Sequence, residues 1–184
     1  MQRFASTTQA VLIVLSVCWA CSGEKSNSGT TAKAAETSST PPASGASAPA
    51  GSAQNAADCD ASLWDRVYTP KRLQQAAVCL SATGVIDESD ADPDGDQHLL
   101  LKLDPGQESL VNKRNKKKKD NELVIEIVCA NPTTMKKPQK ACAGYTNRIP
   151  IPAMGQHVKV IGSYVLDTHN GWMEIHPVSR VERQ

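Results

Sequence analysis

Residues 157–181 read HVKVIGSYVLDTHNGWMEIHPVSRV and carry the strongest β-hairpin signal in the chain. Two mostly apolar runs, His157–Leu166 and Trp172–Val181, flank the dipeptide Asn170–Gly171. Asn-Gly is a preferred pair for a two-residue hairpin turn, because both of its positions accept a positive φ. The pattern therefore predicts two strands joined by a tight turn at this dipeptide.

Three further runs upstream have the same character: Ala77–Ile86, His98–Leu103 and Leu123–Cys129. Successive side chains of a strand point to opposite faces, so Leu99 and Leu101 share one face while His98 lies on the other. Five short strands separated by turn residues predict an all-β domain, specifically a small five-stranded barrel without an unpaired sheet edge. An open antiparallel sheet or a sandwich is the alternative.

A short helical segment precedes the strands. Residues Ser62–Gln75 place Leu63 and Val67 at helical spacing, and Pro70 interrupts the pattern. We therefore expect a helical turn or two before Pro70 and one more turn after it.

Composition excludes several classes of protein. The 184 residues are 40% hydrophobic but only 4% aromatic, and 20 Lys and Arg oppose 19 Asp and Glu. These values rule out a collagen-like repeat, a highly charged disordered protein and a membrane protein with several spans. A net charge of +1 gives no global reason to expect nucleic acid or an anionic membrane as a partner, so any such site must be local.

The first 20 residues predict an export signal peptide. Arg3 precedes an apolar run from Ala10 to Ala20 that is too short to span a bilayer. Cys21 follows the small residue Ala20, which is typical of the lipid-attachment site of bacterial lipoproteins. Cys18 is the alternative, but cleavage there would leave Cys21 as an odd thiol in an oxidising compartment, so we favour lipidation of Cys21. Ordinary secretion is the other interpretation.

Residues 22–57 predict a disordered linker, and residues 58–184 the folded domain. The linker is dominated by Ala, Ser, Thr, Gly and Pro and lacks large apolar side chains, so it cannot offset the entropy of ordering its backbone.

The folded domain contains four cysteines: Cys59, Cys79, Cys129 and Cys142. They allow three disulfide connectivities, of which 59–79 with 129–142 closes the shortest loops. A zinc site is disfavoured, since neither pair has the spacing of a zinc knuckle.

Four segments of the chain resemble those of a known protein family: LWDRVYTPKRL (63–73), DGDQHLLLKLD (94–104), VIEIVC (124–129) and GSYVLDTHNGWMEIHPV (162–178). The chain resembles an uncharacterised family of exported bacterial proteins, including lipoproteins, with an oligonucleotide/oligosaccharide-binding (OB)-like barrel that ends in the motif GWMEIHPV. The resemblance implies a five-stranded barrel with a binding role in the periplasm or at the cell envelope, and no particular reaction. In place of the helix that such barrels carry between strands three and four, residues 130–156 predict a loop.

The motif HNGWMEIHP, residues 169–177, is the strongest candidate site. Glu174 and His176 are two apart in a strand, so their side chains share a face. With His98, His169 and either Asp96 or Asp167, they predict either a divalent metal site or a hydrogen-bonding cluster for a polar ligand. Simple cross-strand pairing of Glu174 and His176 is the structural alternative.

Two runs of charge oppose each other. The acidic run 87–96 predicts a polar hairpin loop turning at Asp94 and Gly95, with a loose calcium site as the alternative. The basic run 113–119 predicts a solvated, mobile loop that could contact phosphates through four lysines: Lys116, Lys117, Lys118 and Lys119. Trp172 is either a stacking platform for a base or sugar, or a cap on the mouth of the barrel.

Three functions follow as hypotheses. The first is a non-catalytic binding module, tethered to the membrane by its lipid anchor, for an oligosaccharide or a single-stranded nucleic acid. Its contacts would be Trp172, Glu174, His176 and the four lysines. The second is a divalent-metal-binding protein or metal-dependent phosphodiester hydrolase using His98, His169, Glu174 and His176. The third is a structural envelope lipoprotein. The sequence indicates no catalytic residue, no cofactor other than such a metal and no specific protein partner.

Overall fold

The computed structural model describes residues 51–184. The predicted signal peptide, the candidate lipid-attachment residues Cys18 and Cys21, and the predicted linker up to residue 50 lie outside the described residues. Residues 51–57, the end of the predicted linker, contain a two-residue strand and the start of a 3-10 turn.

Six strands make up the sheet of the described domain. They are β1 (Ser52–Ala53), β2 (Leu73–Ala91), β3 (Gln97–Leu103), β4 (Leu123–Ile127), β5 (His157–Asp167) and β6 (Met173–Arg183). The helices of the described residues are few and short. Two are α-helices, α1 (Lys113–Lys118) and α2 (Lys136–Cys142); the four 3-10 turns are Ala56–Asp58, Ala61–Arg66, Pro70–Arg72 and Glu108–Leu110.

The count of six strands corrects the expected five. The additional strand is β1, which pairs antiparallel with β2 through Ser52 and Ala53. Its two small, exposed residues carry no alternation of apolar and polar side chains, so the sequence pattern gave no sign of it. The five predicted strands are present, with β2 longer at both ends than expected and Trp172 just before β6 rather than inside it.

The strands pair in the order β1-β2-β3-β4-β6-β5, and β2 also pairs with β5. The pairings are antiparallel except β4 with β6, which is parallel. The first part of β2 pairs with β5 and its last part with β3, and the two pairings overlap at Gly84 and Val85. Gly84 permits this overlap, because a Cβ there would collide with the carbonyl group of Lys102.

The main core lies on one face of the strands. Leu99, Leu101, Ile125 and Ile175 are fully buried in it, as the alternation in the sequence predicted. Tyr164 packs in the same core and donates a hydrogen bond from its hydroxyl to the carbonyl oxygen of Leu110, at 3.1 Å. Because side chains alternate, the odd-numbered residues of β4 occupy this core and its even-numbered residues point to the opposite face.

A second, smaller apolar cluster covers part of that opposite face. It contains Leu63 and Val67 from the N-terminal 3-10 turns, Leu73 and Val165 from strands, and Val128 just after β4. The helical expectation for residues 62–75 is correct only in part, since Leu73 begins β2 instead of continuing a turn.

Two disulfides hold the covering segments to the sheet. Cys59–Cys79 ties the first 3-10 segment to β2, and Cys129–Cys142 ties the end of β4 to α2. Both pairs are those that close the shortest loops. They indicate an oxidising compartment, consistent with export.

Two expected loops contain helices. The basic run 113–119 forms α1, which begins in a capping box: the side chain of Asn112 accepts from the backbone N–H of Asn115, and the side chain of Asn115 accepts from that of Asn112. The run of lysines obscured this helix start in the sequence. Residues 130–156 include α2, whose C-terminal Cys142 is fixed by its disulfide.

Candidate functional site

Four polar side chains line up across three neighbouring strands on the face opposite the main core. His98 lies on β3, Glu126 on β4, and Glu174 and His176 on β6. His98 and Glu126 are directly opposite each other in the β3–β4 register. All four are buried, with exposed fractions of 7, 5, 0 and 3% in that order. Groups buried this deeply require hydrogen-bond partners, which the chain itself supplies for most of them.

Two linked chains of hydrogen bonds run through this cluster. In one, Lys119 Nζ donates to His98 Nε2 at 2.9 Å, and His98 Nδ1 donates to Glu126 Oε1 at 3.1 Å. In the other, the indole Nε1 of Trp172 donates to Glu174 Oε2 at 2.9 Å. His176 Nδ1 donates to Glu174 Oε1 at 3.1 Å. Glu174 and His176 therefore share a face, as their spacing predicted.

The two aspartates considered as partners have different surroundings. Asp96 is buried, and its Oδ1 accepts from the backbone N–H of Cys129 at 2.8 Å. A carboxylate oxygen of Asp96, one of Glu126 and a ring nitrogen of His176 all lie within 4.8 Å of one another. Asp167 instead accepts from the backbone N–H groups of His169 and Asn170, so it organises the β5–β6 turn.

Burial and neighbouring charge shift the acid–base equilibria of the cluster. Burial opposes the charge on His176, but the hydrogen bond to Glu174 and the nearby Glu126 and Asp96 outweigh it and raise the pKa of His176 to about 9. Burial raises the pKa of Asp96 to about 7, although the charge of His176 opposes this. Burial also disfavours the charge on Glu126, but its bond with His98 and the charge of His176 prevail and lower its pKa. The carboxylates around His176 thus favour positive charge at this buried position.

A cleft of about 430 Å³ opens beside this cluster. Its walls come from Arg72, the end of β2 and the β2–β3 loop, from buried residues of β3 and β4, from Lys119 after α1, and from the β5–β6 turn. The acidic lining residues are Glu88, Asp90, Asp92, Asp94 and Glu126; the others are Arg72, His98, Lys119, His169, Asn170 and Trp172. Five carboxylates against one guanidinium and one ammonium make the cleft negative when both histidines are neutral. Another cleft, of about 460 Å³, lies near Tyr145 and Arg148 and has none of the buried imidazoles in its lining.

Lys119 is the residue of the predicted basic patch that enters the cleft. Its ammonium lies over the Trp172 ring, 4.7 Å from the ring centroid, and the side chain is half-buried. The other predicted phosphate contacts are exposed on α1 and are not among the residues lining the cleft: Lys116, Lys117 and Lys118. Of the four predicted lysines, the cleft is therefore lined by Lys119 alone.

The predicted metal-ligand set is only partly brought together. His169 lines the cleft but is exposed on the β5–β6 turn, and neither of the two candidate metal clusters in residues 51–184 includes it. Those clusters are Asp92 with His98 and Glu126, and Asp96 with Glu126 and His176. Glu174 belongs to neither cluster and contacts Nδ1 of His176. Sequence reasoning missed Glu126, although a lone acid in the otherwise apolar strand LVIEI was a signal that it has a specific partner.

Comparisons with protein-family models, curated proteins and solved structures found no match to this chain. The family resemblance of the sequence therefore stays a prediction, and the function is argued from the geometry of the site. Among residues 51–184, no helix has the length and apolar character needed to cross a membrane.

Proposed function

We propose that this domain is a non-catalytic binding module at the bacterial cell envelope, and that its cleft binds a saccharide bearing ammonium groups. One observation carries the proposal: the acidic cleft beside Trp172 lies in the region where the order of the strands leads us to expect a ligand site.

The strand order supports an OB-like barrel. Pairing runs from β2 through β3, β4, β6 and β5 and back to β2, and the pairing of β4 with β6 is parallel. Setting aside the two-residue β1, this is a circuit of five strands in the order 1-2-3-5-4. In OB barrels, ligands bind on the face of the second and third strands between the loop joining strands 1 and 2 and the loop joining strands 4 and 5.

The corresponding region of this chain is the cleft. The loop after β2 contributes Asp92 and Asp94, the face of β3 and β4 contributes His98 and Glu126, and the β5–β6 turn leads into Trp172. The presence of aromatic and polar groups in this region supports the proposal that the cleft is the ligand site of an OB-like barrel.

The charge of the cleft favours one of the two ligand classes that the sequence left open. A groove for single-stranded nucleic acid needs positive charge along the backbone and several aromatic platforms. This cleft has an excess of carboxylates and a single aromatic residue, Trp172. A saccharide is the better fit, because one sugar ring can stack on the Trp172 side chain. Ammonium groups on the sugar would pair with the carboxylates of Glu88 and Asp90.

The histidines of the site are better suited to structure than to catalysis. His98 uses Nδ1 toward Glu126 and Nε2 toward Lys119, so neither nitrogen is free to take a proton from a ligand in the cleft. His176 is buried behind the cleft and is not among its lining residues. These contacts support binding rather than acid–base chemistry.

The envelope location rests on the disulfides and on the sequence. Two disulfides fit an oxidising compartment outside the cytoplasm. A lipid on Cys21 would anchor the chain, and the linker that follows would hold the domain away from the lipid headgroups. Mass spectrometry of the membrane fraction tests this part: a diacylglyceryl group on Cys21 supports it, and an unmodified soluble chain contradicts it.

Isothermal titration calorimetry of the full chain, in buffer containing EDTA, tests the ligand. Three probes distinguish the effect of the ligand's charge from the effect of its sugar rings: the glucosamine trimer, its N-acetylated form and an oligothymidylate. We expect the glucosamine trimer to bind best and the oligothymidylate not to bind. The double variant Glu88→Gln/Asp90→Asn should weaken binding about tenfold, on the scale of 1.4 kcal/mol per factor of ten. The control is Asp87→Asn, because Asp87 is exposed on the same strand but is not among the cleft residues. Tighter binding of oligothymidylate would overturn the proposal, whereas equal binding of trilysine would assign the cleft to cationic peptides.

A further inference from the structure

We propose that Asp96, Glu126 and His176 form a binding site for a divalent transition-metal ion, with Zn²⁺ as the best match to its donors. The site lies behind the cleft and does not depend on a saccharide being bound there. It differs from the metal site suggested by sequence, which used His98, His169, Glu174 and His176.

Three separate parts of the fold converge on this point. Asp96 ends the β2–β3 loop, Glu126 lies in β4 and His176 lies in β6. One potential ligand atom of each lies within 4.8 Å of the others, and the three residues are 3 to 5% exposed. If the three side chains moved moderately closer together, each ligand atom could lie roughly 2.0–2.2 Å from a shared Zn²⁺ ion, which is the distance Zn²⁺ adopts to imidazole nitrogen and carboxylate oxygen.

An independent observation comes from His176 itself. Its Nε2 is one of two buried side-chain nitrogen or oxygen atoms in the described residues that make no hydrogen bond. Nδ1 of the same ring is taken by Glu174, so Nε2 is the ring nitrogen left available for a metal ion. A buried polar atom without a partner needs a physical explanation, and a metal ion shared with two carboxylates supplies one.

Each of the three ligands is held by a second partner. Glu174 accepts from Nδ1 of His176 and so leaves Nε2 for the ion, while Trp172 in turn donates to Glu174. The backbone N–H of Cys129 donates to Asp96 at 2.8 Å. His98 donates to Glu126 at 3.1 Å. Carboxylates and N–H groups that orient the ligands in this way are typical of protein metal sites.

The neighbouring cluster of Asp92, His98 and Glu126 is a poorer candidate. Both ring nitrogens of His98 already have partners, and the ammonium of Lys119 lies 2.9 Å from Nε2. That positive charge would repel a cation. The donor set at His176, one imidazole and two carboxylates, suits Zn²⁺ better than Mg²⁺ or Ca²⁺, which prefer oxygen ligands alone.

The test is metal titration of the purified full chain after removal of metal with a chelator. Calorimetry with ZnCl₂ should give one ion per chain, and CoCl₂ should give the visible absorption bands of cobalt bound to protein. His176→Gln and Asp96→Asn should each weaken Zn²⁺ binding by about a hundredfold or more, and Glu174→Gln, which removes a positioning contact, by about ten- to a hundredfold. His169→Gln is the control, because His169 is exposed and outside the cluster.

If a variant that lacks one of the proposed metal ligands does not fold, the proposal can still be tested with the wild-type chain. The melting temperature of the wild-type chain should rise as ZnCl₂ is added, because an ion that binds only the folded state stabilises it. Binding of no Zn²⁺ by the wild-type chain would overturn the proposal, as would unchanged affinity in folded His176→Gln or loss of binding in His169→Gln. Saccharide titrations in EDTA are independent of these outcomes, so failure of one proposal can be told from failure of the other.

Discussion

The ammonium of Lys119 lies 4.7 Å from the centroid of the Trp172 ring, directly over its face. The same nitrogen is 2.9 Å from His98 Nε2, inside a cleft whose other charged groups are mainly carboxylates. An aromatic face attracts a cation, and the attraction grows when the pair is shielded from water. The chain therefore places its own cation over the ring face on which the binding proposal stacks a sugar, so the proposal predicts that Lys119 competes with the ligand.

Replacing Lys119 with Gln should tighten binding of the glucosamine trimer. The change removes a positive charge from the cleft and uncovers the Trp172 ring, so we expect affinity to rise about tenfold, equivalent to about 1.4 kcal/mol. Calorimetry at two salt concentrations measures it. Lys116→Gln is the matched control, because Lys116 is exposed on α1 away from the cleft. Weaker binding by Lys119→Gln would mean that Lys119 contacts the ligand instead of competing with it.

Asn115→Ala should destabilise the domain by about 2 to 4 kcal/mol, since it leaves several buried backbone groups without partners. The fully buried side chain of Asn115 donates to the carbonyl oxygens of Glu122 and Met173 and accepts from the backbone N–H of Met173. It thereby joins α1 to β4 and β6. Urea unfolding measures the change, with the exposed Lys117→Ala as control. A loss below about 0.5 kcal/mol would show that these bonds contribute little.

Non-reducing peptide mapping should recover two cross-linked pairs, Cys59 with Cys79 and Cys129 with Cys142. The double variant Cys129→Ser/Cys142→Ser should lose about 2 to 4 kcal/mol of stability, because the bond restricts the unfolded chain. Thermal unfolding of this variant beside the wild type gives the value. Recovery of crossed pairs, such as Cys79 with Cys129, would contradict the arrangement of α2 against the sheet.

Glu122 should make the stability depend on pH. Burial, followed by repulsion from Asp87, raises its pKa to about 7 in the folded state from an ordinary value of 4.5. The folded state therefore holds the proton more tightly, so this contribution to stability is complete below pH 4.5 and is lost as the pH rises through 7. Relative to wild type, Glu122→Gln should be more stable at pH 8 and similar at pH 4.5. Melting temperatures of both proteins across this range test it, and a constant difference between them would rule the effect out.

Periodicity in the sequence was sufficient to place five of the six strands of the described residues and the inward faces of the central ones. Leu99, Ile125 and Ile175 are buried as their alternation predicts, because burial of apolar side chains dominates the free energy of folding. The start of α1 was missed because its capping box uses Asn112 and Asn115, which read as loop residues beside a run of lysines. The strand β1 was missed because two small residues carry no hydrophobic pattern.

The sequence predicted that a cluster of histidine and carboxylate side chains forms the candidate site, but it did not predict all of the residues in that cluster. The spacing of Glu174 and His176 correctly placed them on one face, and His98 was correctly assigned to the polar side of its strand. Glu126 joined them only through the pairing of β4 with both β3 and β6, which is a non-local contact that the sequence does not specify. His169 lies apart from the buried cluster because it is exposed on the β5–β6 turn, where local hydrogen bonds from the backbone N–H groups of His169 and Asn170 to Asp167 hold the chain.

The most direct test of the binding proposal is the indole N–H resonance of Trp172 in ¹H–¹⁵N NMR spectra of the full chain, recorded with EDTA during titration with the glucosamine trimer. In this structure Trp172 lines the cleft and its N–H donates to the buried Glu174, whereas the N–H of Trp64 donates to Ser163 elsewhere. We predict a saturable shift of the Trp172 resonance and an unchanged Trp64 resonance, with the indole resonances of the three tryptophans assigned from Trp64→Phe and Trp172→Phe. A Trp172 resonance that does not move while the trimer binds would place the ligand outside this cleft and contradict the account.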